Sequence, residues 1–138
     1  MRNAWEQNGR PNREFLPEYQ HRHFLHAGHA ARLTQRAIEQ IERTDLLVSA
    51  MVMLELEMLH EKGAIQYSAS QILSDLNQQL GVSVCQLPMA VVMSSALRVK
   101  WTREPGDRVI VANAIANNEA PLITSDRRIQ AEYPNAIW

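Results

Sequence analysis

Three acids in this chain are placed where they could act on a hard cation or a phosphate. The first is Glu55, in the segment MVMLELEMLHEK at 51–62. Met51, Leu54, Met58 and Leu59 recur at helical spacing, and Glu55 takes the i+4 place on that same stripe, with Glu57 on the far side. Val52 and Leu56 make the expected helix apolar nearly all round, which predicts burial. A buried carboxylate needs a partner or a metal, because burying it bare is prohibitive. An Arg partner or a place at the solvent edge meets the same need, so periodicity leaves both readings open.

The second acid is Asp107, after Pro105 and Gly106 and ahead of a helix expected over 108–117, RVIVANAIAN. The third is Asp126, after the apolar run PLIT at 121–124 and Ser125. Asp is a preferred N-cap and suits the positive end of a helix dipole, so capping explains either acid. Both also fall where a strand hands over to a helix, the edge at which doubly wound sheets bind ligands. Hard divalent cations take several carboxylate oxygens in one place. The pattern therefore permits a metal cluster of Glu55, Asp107 and Asp126 without requiring one. Arg98, Lys100, Arg103, Arg108, Arg127 and Arg128 share this C-terminal third with Glu104, Asp107 and Asp126. Acids and bases in the same loops suit metal-dependent phosphodiester chemistry, and they equally describe salt-bridged surface loops.

Alternating elements must position these residues. Residues 1–17 are polar, hold Gly9, Pro11 and Pro17, show no period, and read as a loosely attached leader ahead of one domain over 18–138. HAARLTQRAIEQIER at 29–43 puts Ala30, Leu33, Ala37, Ile38 and Ile41 on one helical stripe. Leu46-Leu47-Val48 reads as a buried strand, with Ser49 capping a helix over about 50–62 that Gly63 stops. A helix from near Ser70 to Leu80 turns Ile72, Leu73, Leu76 and Leu80 inward and stops at Gly81. VSVCQL at 82–87 alternates like a strand, and Pro88 opens a helix at its favoured first position, ending near Trp101. PLIT is a strand, a short helix starts near Asp126, and AIW after Pro134 suggests a terminal strand. Short apolar strands alternating with helices predict an α/β fold, a parallel sheet covered by helices on both faces.

Composition bounds the rest. The 138 residues suffice for one domain with a core. With 46% hydrophobic and 21% charged residues, the chain is not of a disordered, collagen-like or coiled-coil class. No apolar run approaches the ~20 residues that span a bilayer. The N-terminus MRNAWEQNGRPNR lacks a signal peptide's apolar stretch, and the single Cys85 excludes a disulfide framework and a cysteine-rich zinc site. A soluble, cytoplasmic protein is the expectation. Fourteen Lys and Arg against fifteen Asp and Glu give a net charge of −1, without the basic excess common in nucleic-acid binders. No Gly-rich phosphate loop is present.

The blocks FLHAG (24–28), SAMVMLELEMLHEKGAI (49–65) and WTREPGDRVIVANAIANNEAPLITSDRRI (101–129) together resemble PIN domains of the VapC toxin type, in order and spacing. The resemblance spans about Phe24 to Trp138, and DRVIVANA followed by LITSDRRI is its most specific part. It implies a three-layer α/β/α sandwich around a parallel sheet and an Mg²⁺- or Mn²⁺-dependent ribonuclease. It also implies a homodimer and a cognate antitoxin that holds the enzyme inactive. Glu55, Asp107 and Asp126 match the family's acids of the second, DR and T-x-D blocks, and Thr124 matches the hydroxyl that supports them. Arg108, Arg127 and Arg128 would then position the RNA backbone. Glu104 and Gly106 stand where the family often has Asp and Phe.

The first motif departs more. The family's L-D-T-x-x-x-x-F/W-L pattern, counted back from Phe24 and Leu25, puts its Asp at Glu18. The Tyr-Gln-His-Arg-His that follows is a poor sequence for a buried parallel strand, yet 18–25 is expected to be the central strand. His21, His23 and His26 there form only a weak metal signal. Codons for Glu-Tyr-Gln-His-Arg-His-Phe, after paired compensating frame changes, read Asp-Thr-Ser-Thr-Val-Ile-Phe, which restores the family's acid. Retained as it stands, Glu18 favours the alternative of a catalytically impaired binding module that pairs with an antitoxin-like protein.

Overall fold

The computed structural model describes residues 22–26, 35, 39 and 45–138. The expected leader and Glu18 lie outside the described residues, as does most of the helix expected over 29–43, of which Gln35 and Glu39 are helical. Five parallel strands form one sheet in the order β3-β2-β1-β4-β5. They are β1 Arg22–Leu25, β2 Asp45–Val48, β3 Ser83–Val84, β4 Leu122–Ile123 and β5 Ala136–Ile137. The helices are α1 Ala50–Glu61, α2 Ala69–Leu80, α3 Met89–Ala96, α4 Pro105–Ala116 and α5 Arg127–Glu132. This is the α/β sandwich that the alternation predicts.

The described part of the 18–25 segment is the middle strand. Phe24 pairs with Leu47 of β2 on one side and Leu122 of β4 on the other. Phe24 and Leu25 are buried, and so is His23, which the polar character of the stretch argued against. Leu122 and Ile123 are wholly buried, as a strand covered on both faces must be. Leu122→Ala is therefore expected to cost about 2–5 kcal/mol, read as a lower urea midpoint at unchanged m-value.

Local chemistry sets most boundaries. Ser49 accepts a hydrogen bond from Met51 N at 3.2 Å and starts α1. Ser68 and Gln71 make a capping box at α2, and Gly81 ends it with φ +70°, a conformation that costs glycine nothing. Several boundaries differ from expectation. The strand expected over 82–87 pairs only at Ser83–Val84. Pro88, with extended ψ of 139°, flanks α3 instead of sitting inside it. That helix stops at Ala96, because Arg98 N and Val99 N bond back three residues and the tightened turn delivers Val99 to the core. Leu80 is 41% exposed at the tip of α2, whereas Ile72, Leu73 and Leu76 pack on the core. On α1 the buried face is Val52 and Leu56. Met53, Leu54 and Met58 face outward, so the Met51–Leu54–Met58 stripe is not the inward one. Among the described residues no helix is long and apolar enough to cross a membrane.

Candidate active site

The carboxyl ends of β1, β2 and β4 deliver His26, Ser49 and Thr124 to one edge of the sheet. Around that edge the fold gathers the three acids. Glu55 reaches it from α1: next to Leu56, which turns into the core with Val52, it is left half-buried at the helix margin. Its carboxylate lies over Gly106, so close that a Cβ there would collide with Oε1. Glycine at this position is what admits the acid.

Asp107 comes from the first turn of α4. That helix begins at Pro105, not at 108, because proline suits a first turn whose N–H groups have no intrahelical acceptor. Asp107 is thus a helix residue and not its cap; Glu104 holds the cap position and makes no side-chain cap bond. The Asp107 carboxyl is raised above the usual carboxylate range. Burial is the largest cause; the Asp126, Glu55 and Glu104 carboxylates push the same way, and His26 opposes them. Glu55 and Asp126, 71 positions apart in the chain, therefore both act on one carboxyl.

Asp126 does cap α5: Oδ1 accepts from Arg128 N and Ile129 N, each at 2.9 Å, which leaves Oδ2 outside the cap. Asp126→Ala should cost about 0.5–2 kcal/mol through the lost cap, whereas Asp126→Asn should retain most of it, as thermal unfolding of the two variants will read. Thr124, wholly buried, accepts from Asp126 N at 3.0 Å and shares a 3.0 Å hydrogen bond with His26 Nδ1. The other His26 nitrogen, Nε2, lies 3.7 Å from Glu55 Oε2.

The basic residues divide. Arg108 donates to the Ala96 carbonyl at 2.9 Å, which ties α4 to the end of α3. Arg128 lies over the Trp101 ring, 5.7 Å from its centroid, and bonds the Trp101 carbonyl. Arg127 is exposed beside Asp126. Glu57 accepts from Ala69 N at 2.9 Å and serves the start of α2. Two members of the cluster were not among the expected site residues: His26, read only as part of a weak metal signal, and Glu104, noted only as standing where the family often has Asp. For His26 the available signal was its place directly after a strand that reaches the ligand edge.

Carboxylate oxygens are the donor type that a hard divalent cation takes. Among the described residues no three His, Cys, Asp or Glu side chains converge on a single point as they stand. Glu55 rests against His26 and Gly106 instead.

The model of the family described as PIN domain matches residues 23–134. No curated protein matches the chain. The crystal structure of VapBC2 from Rickettsia felis bound to a DNA fragment from their promoter contains a similar chain. It superposes with a TM-score of 0.58 over 84% of this chain and 96% of that one, at 16% identity. At that identity the likeness is one of fold.

Proposed function

The chain belongs to the PIN domain family, and on that premise we propose that it is a metal-dependent endoribonuclease, the toxin of a toxin–antitoxin pair. PIN domains are generally nucleases. The observation that supports the reading is that Glu55, lying against Gly106, and Asp126 both come near enough to the Asp107 carboxyl at one sheet edge to oppose its charge. Capping explains Asp126 and the helix first turn favours Asp107, each singly; neither accounts for Glu55 reaching them from α1.

Glu55, Asp107 and Asp126 would hold Mg²⁺ or Mn²⁺, and Thr124 supports them by fixing the Asp126 backbone. By the resemblance, Glu18 would add a fourth acid. A bound cation supplies charge for the scissile phosphate and acidifies water. The chain's own part is positional. Gly106 lets the Glu55 carboxylate approach α4, the α5 cap leaves Asp126 Oδ2 available, and the first turn of α4 favours the Asp107 anion that its neighbours disfavour. Of Arg108, Arg127 and Arg128, the exposed Arg127 would meet an RNA phosphate, since the other two are engaged with backbone carbonyls.

The proposed partners are those the resemblance implies, a cognate antitoxin and a second copy. Met53, Leu54 and Met58 of α1 and Met89 and Val91 of α3 are exposed apolar residues that a cognate antitoxin or a second copy would cover. The test is cleavage of a mixed-sequence RNA by the full chain. Cleavage with Mg²⁺ or Mn²⁺ that stops with chelator is expected. The second reading, an impaired binding module, is favoured by the spread of the carboxylates and by Glu18. It predicts no cleavage with either ion while antitoxin binding persists.

A further inference from the structure

We infer that Trp101 and Arg128 form a stacking shelf for one unpaired base of an RNA strand, set beside the acids so that the seated base brings its phosphate to them. This rests on the ribonuclease reading above and adds which residues grip the strand, and by which part of the nucleotide.

The shelf is built from the inside outward. The Trp101 indole is half-buried and packs against the main core. The Arg128 guanidinium lies over that ring, 5.7 Å from its centroid, and its Nη2 donates to the Trp101 carbonyl. A surface arginine loses much rotamer freedom when it binds a ligand; here a ring and a carbonyl already hold its head in place. Arg128 stays exposed, so its planar head is the outer layer of the stack. Unpaired bases stack on aromatic rings and on guanidinium planes, and every base has a π-face to offer.

The shelf is tied to the acids at both ends. Arg128 N donates to Asp126 Oδ1 at 2.9 Å, so a carboxylate of the candidate site fixes the backbone of the residue that tops the shelf. Trp101 leads into the segment that carries Glu104, Gly106 and Asp107. Thr102 in that segment is buried, and its hydroxyl accepts from Glu104 N at 3.1 Å, which fixes the turn between indole and helix. The Arg128–Trp101 contact therefore joins the two segments that supply Asp126 and Asp107, one arginine side chain away from the acids.

Local charge suits a polyanion. Lys100 and Arg103 stand on either side of Trp101 in the chain, and Arg127 precedes Arg128; all three are exposed. With a net charge of −1 for the whole chain, this local set is what a phosphate backbone would meet.

The test is equilibrium binding of a short single-stranded RNA to the full chain in chelator, beside the same sugar–phosphate strand without bases. The wild type should bind the intact strand roughly 5- to 150-fold more tightly than the abasic one, the scale of one stacked base. Arg128→Ala should remove most of that preference. Arg128→Lys should remove it too while binding the abasic strand like the wild type, because lysine keeps the charge and lacks the plane. Trp101→Phe should retain the preference, and Trp101→Leu should lose it. A wild type that binds both strands equally, or neither, overturns the shelf. A preference retained by either Arg128 variant or by Trp101→Leu also overturns it. Metal-dependent cleavage without base preference leaves the nuclease reading standing; base preference without cleavage upholds the shelf and counts against that reading. The wild-type comparison needs no variant, so one that fails to fold does not blunt it.

Discussion

Asp107→Asn should abolish metal-dependent RNA cleavage, by about 10³-fold or more, the scale of loss when a group that stabilises transition-state charge is removed. The same variant should be more stable than the wild type at neutral pH when both are measured in chelator. Two effects compete there. The first turn of α4 favours a negative side chain, while burial and the Asp126, Glu55 and Glu104 carboxylates disfavour it. The raised pKa says that the second set wins. The sign follows by linkage. Raised above 3.8, the folded carboxyl binds its proton more tightly than the unfolded one, so stability falls as pH rises through the folded value. Asn has no such proton to lose. The variant's advantage is therefore present at neutral pH and shrinks as pH falls toward 3.8. Thermal unfolding across this range checks it, and a variant less stable than the wild type at pH 7 would show that the Asp107 charge is paired and not opposed.

Gly106→Ala should separate activity from stability in a second way. Gly106 is buried in the first turn of α4 with an ordinary helical φ, so the backbone accepts alanine there, and less unfolded-state entropy favours it by about 0.4–1 kcal/mol. The added Cβ would instead meet the Glu55 carboxylate. That group is the end of a flexible side chain and can swing aside without disturbing the core. The cost falls on its position: displacement of a metal-holding acid by about 1 Å is worth on the order of 10²-fold in rate. Unchanged or raised thermal stability with cleavage reduced about 10²-fold is the expected pair of results. Full activity in Gly106→Ala would remove Glu55 from the mechanism.

What the sequence disclosed depends on how local the physics is. Ser49, Gly81 and Asp126 act within a few residues of themselves, through a cap bond or a left-handed φ, and their elements were legible. So was the alternation that makes the sheet parallel. The inward face of α1 was not, because Met51, Leu54 and Met58 recur as regularly as Val52 and Leu56, and packing against α2 and α4 chooses between them. The start of α4 was read too late because Pro105 and Gly106 look like loop; placed in a first turn they begin the helix and carry Asp107 into it. Arg22–Leu25 gives little strand signal, and its place follows from pairing with two neighbours that come later in the chain. His26 owes its position to that same pairing. No periodicity within its own segment could place it beside Thr124 and Glu55.

The most direct test of the central claim is anomalous diffraction from a crystal of the full chain soaked in Mn²⁺. An anomalous peak bounded by the carboxylates of Glu55, Asp107 and Asp126, with oxygen distances of about 2.0–2.6 Å, is the predicted result. A fully occupied peak elsewhere on the surface, with these three carboxylates unchanged in position, would contradict it.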